Sequence, residues 1–263
     1  MAANITNDII YDSKTGQTLD VYEPNVETAN QQAIILIHGG GWYQGDKKKQ
    51  ATIAEYLSNK GYFVFVPNYR LAPDYLYPAA QEDVLTVYDW IVASDYQFDK
   101  ARIGALGMSA GGNLAIELAI NRHIPIASWS GIIDLDKWIA QHQNIVASKK
   151  DAPDPNTPSD KIDQDGSNDP YYKWFVLNYV GGDTAKLKQA SPAYRIDTTT
   201  GPMMIANSLN ELVPMSGVFD IFAQATAFNV PTEIMTLAGG RHGNAYFDDA
   251  IGSTLAFFDK YLN

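Results

Sequence analysis

Gly107-Met108-Ser109-Ala110-Gly111 is the stretch that decides the fold. The apolar run Arg102-Ile103-Gly104-Ala105-Leu106 precedes it, and the helix-like run Gly112-Asn113-Leu114-Ala115-Ile116-Glu117-Leu118-Ala119-Ile120 follows. A G-x-S-x-G pentapeptide between a strand and a helix makes a sharp turn that exposes its serine above a sheet. Side chains at Gly107 or Gly111 would collide with the adjoining elements. The helix that begins next points its backbone N–H groups at the turn, where they favour developing negative charge. Ser109 is therefore the candidate nucleophile.

A second motif, His38-Gly39-Gly40-Gly41-Trp42, follows the buried-strand pattern Ala33-Ile34-Ile35-Leu36-Ile37. Glycines let a backbone adopt positive φ and approach a substrate closely. Acyl transfer needs N–H donors where a carbonyl oxygen becomes an oxyanion. Gly40 and Gly41 are the candidates, completed by the N–H of Ala110, the residue after the nucleophile.

The chain has 263 residues, 46% of them hydrophobic, which suits one sizeable α/β core better than two small ones. Its formal net charge of -11 argues against nucleic acid and against anionic membrane surfaces. There is no cysteine, which excludes a thiol nucleophile, disulfides and thiolate metal sites. The first residues carry neither a basic region nor an apolar core, so no signal peptide is read there. No apolar stretch is long enough to span a bilayer. A soluble, cytoplasmic protein is the expectation.

Outward from the two motifs, the pattern predicts an N-terminal hairpin around Ile9–Tyr11 and Leu19–Tyr22, turned at Gly16. Asp46 is positioned to cap a helix from Lys47 to about Asn59, with Lys47-Lys48-Lys49 as its solvated face. A strand at 62–66, a helix from about Pro78 to Ala93, and a strand at 124–129 continue the alternation. Further on come a strand at 202–206, a helix at 214–228, a strand at 232–237 and a closing helix from about 245 to 261. Alternating strands and helices imply a largely parallel sheet covered on both faces, in a single α/β domain. The pattern breaks at about 134–182, where polar linker mixes with Trp138, Tyr171, Tyr172, Trp174 and Phe175. A long irregular insertion with aromatics to pack is expected to be a small cap, with helices near 135–147 and 170–179. Trp42, Trp138 and Trp174 are the expected pocket lining.

Position sorts the four histidines. His38 braces the glycine loop, His123 lies on the surface between a helix and a strand, and His142 sits in the cap. His242, in Gly239-Gly240-Arg241-His242-Gly243, follows the last strand, where the Ser–acid–His order places the base. The acid belongs after strand 202–206. Asn210 and the neighbouring Glu211 compete there. Glu211 carries the charge and the reach needed to orient an imidazole and stabilise its cation. Asp134 is a further alternative.

Taken together, these motifs resemble the α/β-hydrolase superfamily, and within it bacterial esterase/lipase-like carboxylesterases with an HGGGW loop. The supporting matches are His38 to Trp42, Asn68-Tyr69-Arg70-Leu71-Ala72-Pro73, Pro78 to Asp83, Gly107 to Gly112, Leu212-Val213-Pro214 and Arg241-His242-Gly243. The resemblance implies a Ser109–acid–His242 triad, no cofactor or metal, and small-molecule, short-chain carboxylic esters as substrates. It also departs from the family pattern. The position that usually carries the aspartate is Asn210, which leaves the acid to Glu211. Amide, formamide or peptide hydrolysis on the same fold, and a binding protein with a decayed triad, are the alternative readings.

Overall fold

A computed structural model describes residues 4–25, 29–151 and 166–263. Among the described residues one eight-stranded sheet runs through the molecule, in the order β1-β2-β4-β3-β5-β6-β7-β8. β1 (Asn4–Asp12) and β2 (Gln17–Glu23) form the expected hairpin, with Gly16 at φ 71° in its turn. β2 pairs antiparallel with β4 (Phe63–Pro67). From there β3 (Ala33–Ile37), β5 (Ile103–Met108), β6 (Ile126–Trp129), β7 (Met203–Ser208) and β8 (Thr232–Leu237) are parallel throughout.

The apolar runs become strands because each must bury both faces. In β3, Ala33, Ile35 and Ile37 enter one core layer, while Ile34 and Leu36 enter the layer on the opposite side. This is the period-two alternation of a strand with no solvent face. The first layer is closed by α2 (Ala79–Ala93), α3 (Ala110–Arg122), the one-turn α6 (Leu187–Ala190) and α7 (Met215–Ala227). The second is closed by α1 (Ala51–Asn59) and α8 (Phe247–Tyr261). α3 is buried at every residue from Ala110 to Ala119, and its polar positions Asn113 and Glu117 are paired inside the fold, Asn113 donating to the Ile132 carbonyl at 2.8 Å and Glu117 accepting from Arg195 at 2.6 Å.

Two expectations change. Lys47 does not belong to a solvated face. Its side chain is 2% exposed, and its ammonium pairs with Asp8 and Asp20. The start of that segment is a 3-10 turn, Lys47–Gln50, capped by Asp46, which aims Lys47 inward beneath the hairpin. The insertion is also less helical than its pattern suggests. α4 spans only Asp136–Gln141, and α5 spans Asp169–Tyr179. Its polar linker falls on residues 152–165, outside the described residues. α5 turns Tyr171, Tyr172, Phe175 and Tyr179 inward, which is the packing the insertion's aromatics require.

Candidate active site

The elbow is built by steric exclusion. A Cβ at Gly107 would overlap the Gly111 carbonyl oxygen, and one at Gly111 would overlap the carbonyl oxygens of Ile37 and His38. Only glycine at both positions lets α3 start against β5 and β3. The turn holds Ser109 at φ 56°, ψ -121°, a costly conformation for a non-glycine residue that is characteristic of functional sites. The Ser109 N–H donates to the Trp129 carbonyl at 2.8 Å, so the sheet itself over-determines the strained residue. Ser109 is 9% exposed, which leaves its hydroxyl reachable at the carboxyl end of the central strand.

The glycine loop lies directly against this turn. A Cβ at Gly39 would meet the Met108 carbonyl oxygen at 2.8 Å and the Ser109 Cβ at 3.1 Å. Gly40 and Gly41 have φ 119° and 57°, conformations that disfavour side chains. Among the described residues, no backbone carbonyl accepts from the N–H of Gly40, Gly41 or Ala110. The loop is held from behind. The His38 ring stacks on Tyr69 at 4.3 Å, its Nδ1 lies 2.7 Å from the Gly39 carbonyl, and the Tyr69 hydroxyl donates to the His38 carbonyl at 3.0 Å. Burial pushes His38 down to about 4, so it is neutral at pH 7 and serves as the expected brace.

β7 and β8 deliver the remaining groups. Glu211 and His242 lie on the loops that follow these strands, and the Glu211 Oε2 accepts from the His242 Nδ1. The carboxylate is fully buried and its other oxygen is also occupied. Oε1 accepts from the Ser208 N–H at 2.9 Å and from the Ser130 hydroxyl at 2.8 Å. Asn210 is exposed, with its N–H donating to the Gly239 carbonyl at 3.0 Å, and it is Glu211 that meets the imidazole. Asp134 is occupied elsewhere. It caps α4 by accepting from the Lys137 N–H at 3.0 Å, and burial with neighbouring Asp220 pushes its carboxyl up to about 6. The His242 loop reaches back over the elbow: a Cβ at Gly243 would sit 3.6 Å from the Met108 Cβ. Ser109, Glu211 and His242 thus follow the carboxyl ends of β5, β7 and β8.

The three tryptophans separate. Trp42 is fully buried, stacked on Tyr179 at 4.1 Å and packed against Phe175, so it underpins the glycine loop instead of facing a pocket. Its backbone continues a tight glycine turn at φ 58°, which directs the indole into the core. Trp138 lines a cavity of about 380 Å³ together with His142, Asn210, Glu211, Leu212 and Pro214. That volume falls in the range of small-ligand pockets, about 300–1,000 Å³. Trp174 is half-buried and meets Tyr43 edge-on at 4.8 Å. Of the other histidines, His123 is exposed at the end of α3, and His142 stacks on Trp138 at 4.2 Å. The sequence did not single out Ser130. It follows β6 at φ 52°, and a Ser-Gly pair at a strand end is too common to mark it.

Relatives of known name match part of the chain. Carboxylesterase NlhH of Mycobacterium tuberculosis is 34% identical over 113 residues, covering 41% of this chain and 35% of that protein. The arylacetamide deacetylase of Bos taurus is 36% identical over 107 residues, covering 38% of this chain and 27% of the relative. The matched stretches therefore span about a third of these relatives or less. Among solved structures, an esterase from Pyrobaculum calidifontis superposes with a TM-score of 0.78 at 20% identity, covering 99% of this chain and 86% of that one. A truncated carbohydrate esterase from gut microbiota gives 0.77 at 19% identity, covering 99% and 97%. At such identities the likeness speaks for the fold, which is that of the α/β-hydrolases. The BD-FAE family model matches residues 19–217, from the hairpin through the elbow to the first turn of α7. A match over that span of the fold, which takes in both Ser109 and Glu211, means that the chain belongs to the BD-FAE family.

Proposed function

We propose that the protein is a serine carboxylesterase that hydrolyses short-chain or small aromatic carboxylic esters through an acyl-enzyme. The observation that carries this reading is the buried Glu211–His242 pair together with a strained Ser109 at strand ends of the same sheet, the His242 loop packing through Gly243 on Met108, the residue before the serine. Such a constellation is recognised by geometry and roles. In this mechanism His242 Nε2 takes the proton from the Ser109 hydroxyl as Oγ bonds to the ester carbonyl carbon. Glu211 holds the Nδ1–H and stabilises the imidazolium. The N–H groups of Gly40, Gly41 and Ala110 receive the oxyanion. The imidazolium then protonates the departing alcohol. Water, deprotonated by the same ring, attacks the acyl-enzyme and releases the acid.

The Trp138 cavity lies on the acid side of the site, against Glu211, and Ser109 is not among its lining residues. The names of similar proteins (carboxylesterase, arylesterase, ethyl acetate hydrolase) agree with ester hydrolysis. An amide reading has one observation in its favour, the arylacetamide deacetylase relative. A decayed triad loses its motive, because the charge missing at Asn210 is supplied next door by Glu211. The test is hydrolysis of p-nitrophenyl acetate and butyrate beside p-nitroacetanilide, in wild type and Ser109→Ala. Ester turnover that disappears in the variant is expected. Ester turnover that persists in Ser109→Ala, or preferred cleavage of the anilide, overturns the reading.

A further inference from the structure

We propose that Ser130 is a positioning residue for the reaction, a hydroxyl that keeps the Glu211 carboxylate charged and aimed at His242. This rests on the triad reading above and adds a fourth group to it. The four parallel strands β5, β6, β7 and β8 are adjacent, and Ser109, Ser130, Glu211 and His242 follow their carboxyl ends in that order. Ser130 extends the sheet by one residue, its N–H donating to the Ala206 carbonyl at 2.8 Å. Its φ of 52° is unusual for serine, and the residue is fully buried. That conformation sets Oγ 2.8 Å from three groups: Glu211 Oε1, the Gly243 N–H and the Tyr246 hydroxyl.

Counting protons shows what this arrangement does. Ser130 Oγ has one proton and two lone pairs. The Gly243 N–H fills one lone pair and thereby anchors the residue next to His242. The Tyr246 hydroxyl is fully buried, and burial together with the charge of Glu211 holds it protonated well above its ordinary value, so it can donate into the second lone pair. The single Ser130 proton is then left for Glu211. The Tyr246 hydroxyl also donates to the Ala206 carbonyl at 3.0 Å, which has a second lone pair beside the one that takes the Ser130 N–H; an ionised Glu211 can only accept, so its contact with Ser130 commits the single Ser130 proton in either case. A carboxylate without exposure to water needs donors to stay ionised. Glu211 has the Ser208 N–H and the Ser130 hydroxyl on one oxygen and the imidazole on the other. The other titratable groups on this side are Arg241, paired with Asp249 at 2.6 Å, Asp134, held by the Lys137 N–H and beside Asp220, and His142 and Asp169, which line the Trp138 cavity with Glu211, the His142 Nδ1 lying 2.7 Å from the Trp138 carbonyl.

Removing the Ser130 hydroxyl takes a donor from the anionic form of the Glu211–His242 pair, which must then bind its proton more readily. Because the two groups share a hydrogen bond, the sign is the same whichever of them carries the added proton. In Ser130→Ala the His242 imidazole, followed by NMR in histidine-labelled protein, is expected to titrate about one pH unit higher than in wild type. The acidic limb of kcat/KM is expected to move up with it, and kcat to fall about tenfold with little change in KM. Tyr246→Phe also deletes a buried hydrogen bond of this network but leaves the Ser130 proton free for Glu211. Its imidazole titration is expected to stay at the wild-type position. A residue that only holds the fold would lower the melting temperature in both variants and move the titration in neither, and that result overturns the proposal. So does an upward shift of equal size in both. The NMR titration needs no substrate, so it judges Ser130 even if ester turnover is absent, an outcome that would instead overturn the esterase reading.

Discussion

Replacing Glu211 by glutamine tests the site most sharply, because the hydrogen bonds around the carboxylate dictate which way the amide must lie. Oε1 faces two donors, the Ser208 N–H at 2.9 Å and the Ser130 hydroxyl at 2.8 Å. Oε2 faces His242 Nδ1. An amide has one acceptor oxygen and one donor NH₂. With its oxygen toward Ser208 and Ser130, the NH₂ donates to Nδ1. That forces the imidazole into the tautomer that carries its proton on Nε2, where it can no longer receive one from Ser109. In the opposite orientation the NH₂ meets the Ser208 N–H head-on, an unsatisfied buried donor costing about 1–3 kcal/mol. The first orientation wins, and the wrong tautomer is its consequence. In a serine protease the matching change costs about 10⁴ in kcat, or roughly 5.5 kcal/mol of barrier at 1.36 kcal/mol per decade. We therefore expect Glu211→Gln to lower kcat for p-nitrophenyl acetate by about 10³–10⁴ while the melting temperature changes little. Asn210→Ala, at an exposed residue, is expected to stay within about threefold of wild type. Steady-state kinetics of the two variants beside a thermal melt decide the matter. A Glu211→Gln enzyme within tenfold of wild type, or an equal loss in Asn210→Ala, would refute this assignment of the acid.

Two further outcomes concern stability. Gly111→Ala places a Cβ on the Ile37 and His38 carbonyl oxygens, so α3 must back away from the sheet. A loss of about 3 kcal/mol or more is expected, read as a large drop in melting temperature, and a wild-type melt would contradict the packing described. Asp134 keeps its proton up to about pH 6 in the fold, whereas the unfolded chain releases it near pH 3.9. Its stabilising contribution is therefore complete below the lower value and fades as the pH rises through the upper one. Asp134→Asn retains a capping oxygen for the Lys137 N–H and cannot ionise. It is expected to raise the melting temperature at pH 8 by about 2–4 °C relative to wild type, after allowance for partial solvent screening, and by less at pH 5. An equal gain at both pH values would show that ionisation of Asp134 plays no part.

How much of this protein could be read from its residues alone follows the range of the forces involved. The elbow, the glycine loop and the strands that carry them were legible because their demands are local. Gly107 is required by the Gly111 carbonyl within the same turn, Gly111 answers to the Ile37 and His38 carbonyls at the end of β3 and is legible only as part of the pentapeptide, and Ala33–Ile37 is apolar at every position because both its faces are covered. The order nucleophile, acid, base likewise set Ser109, Glu211 and His242 in loops after strands, which proved to be β5, β7 and β8. Where each side chain points was settled only by folding. Glu211 rather than its neighbour Asn210 meets His242, because the loop after β7 turns one side chain inward and leaves the next in solvent. Trp42 left the pocket for the core because α5, more than a hundred residues away, offers Tyr179 and Phe175 to pack on. Lys47 is buried because a hairpin far back in the chain carries Asp8 and Asp20 to its ammonium. Ser130 acquires three hydrogen-bond partners from strand ends that meet only in the sheet. Steric rules for a turn act over a few bonds and are written in the order of residues, whereas burial and charge pairing are properties of neighbours that only the closed fold supplies.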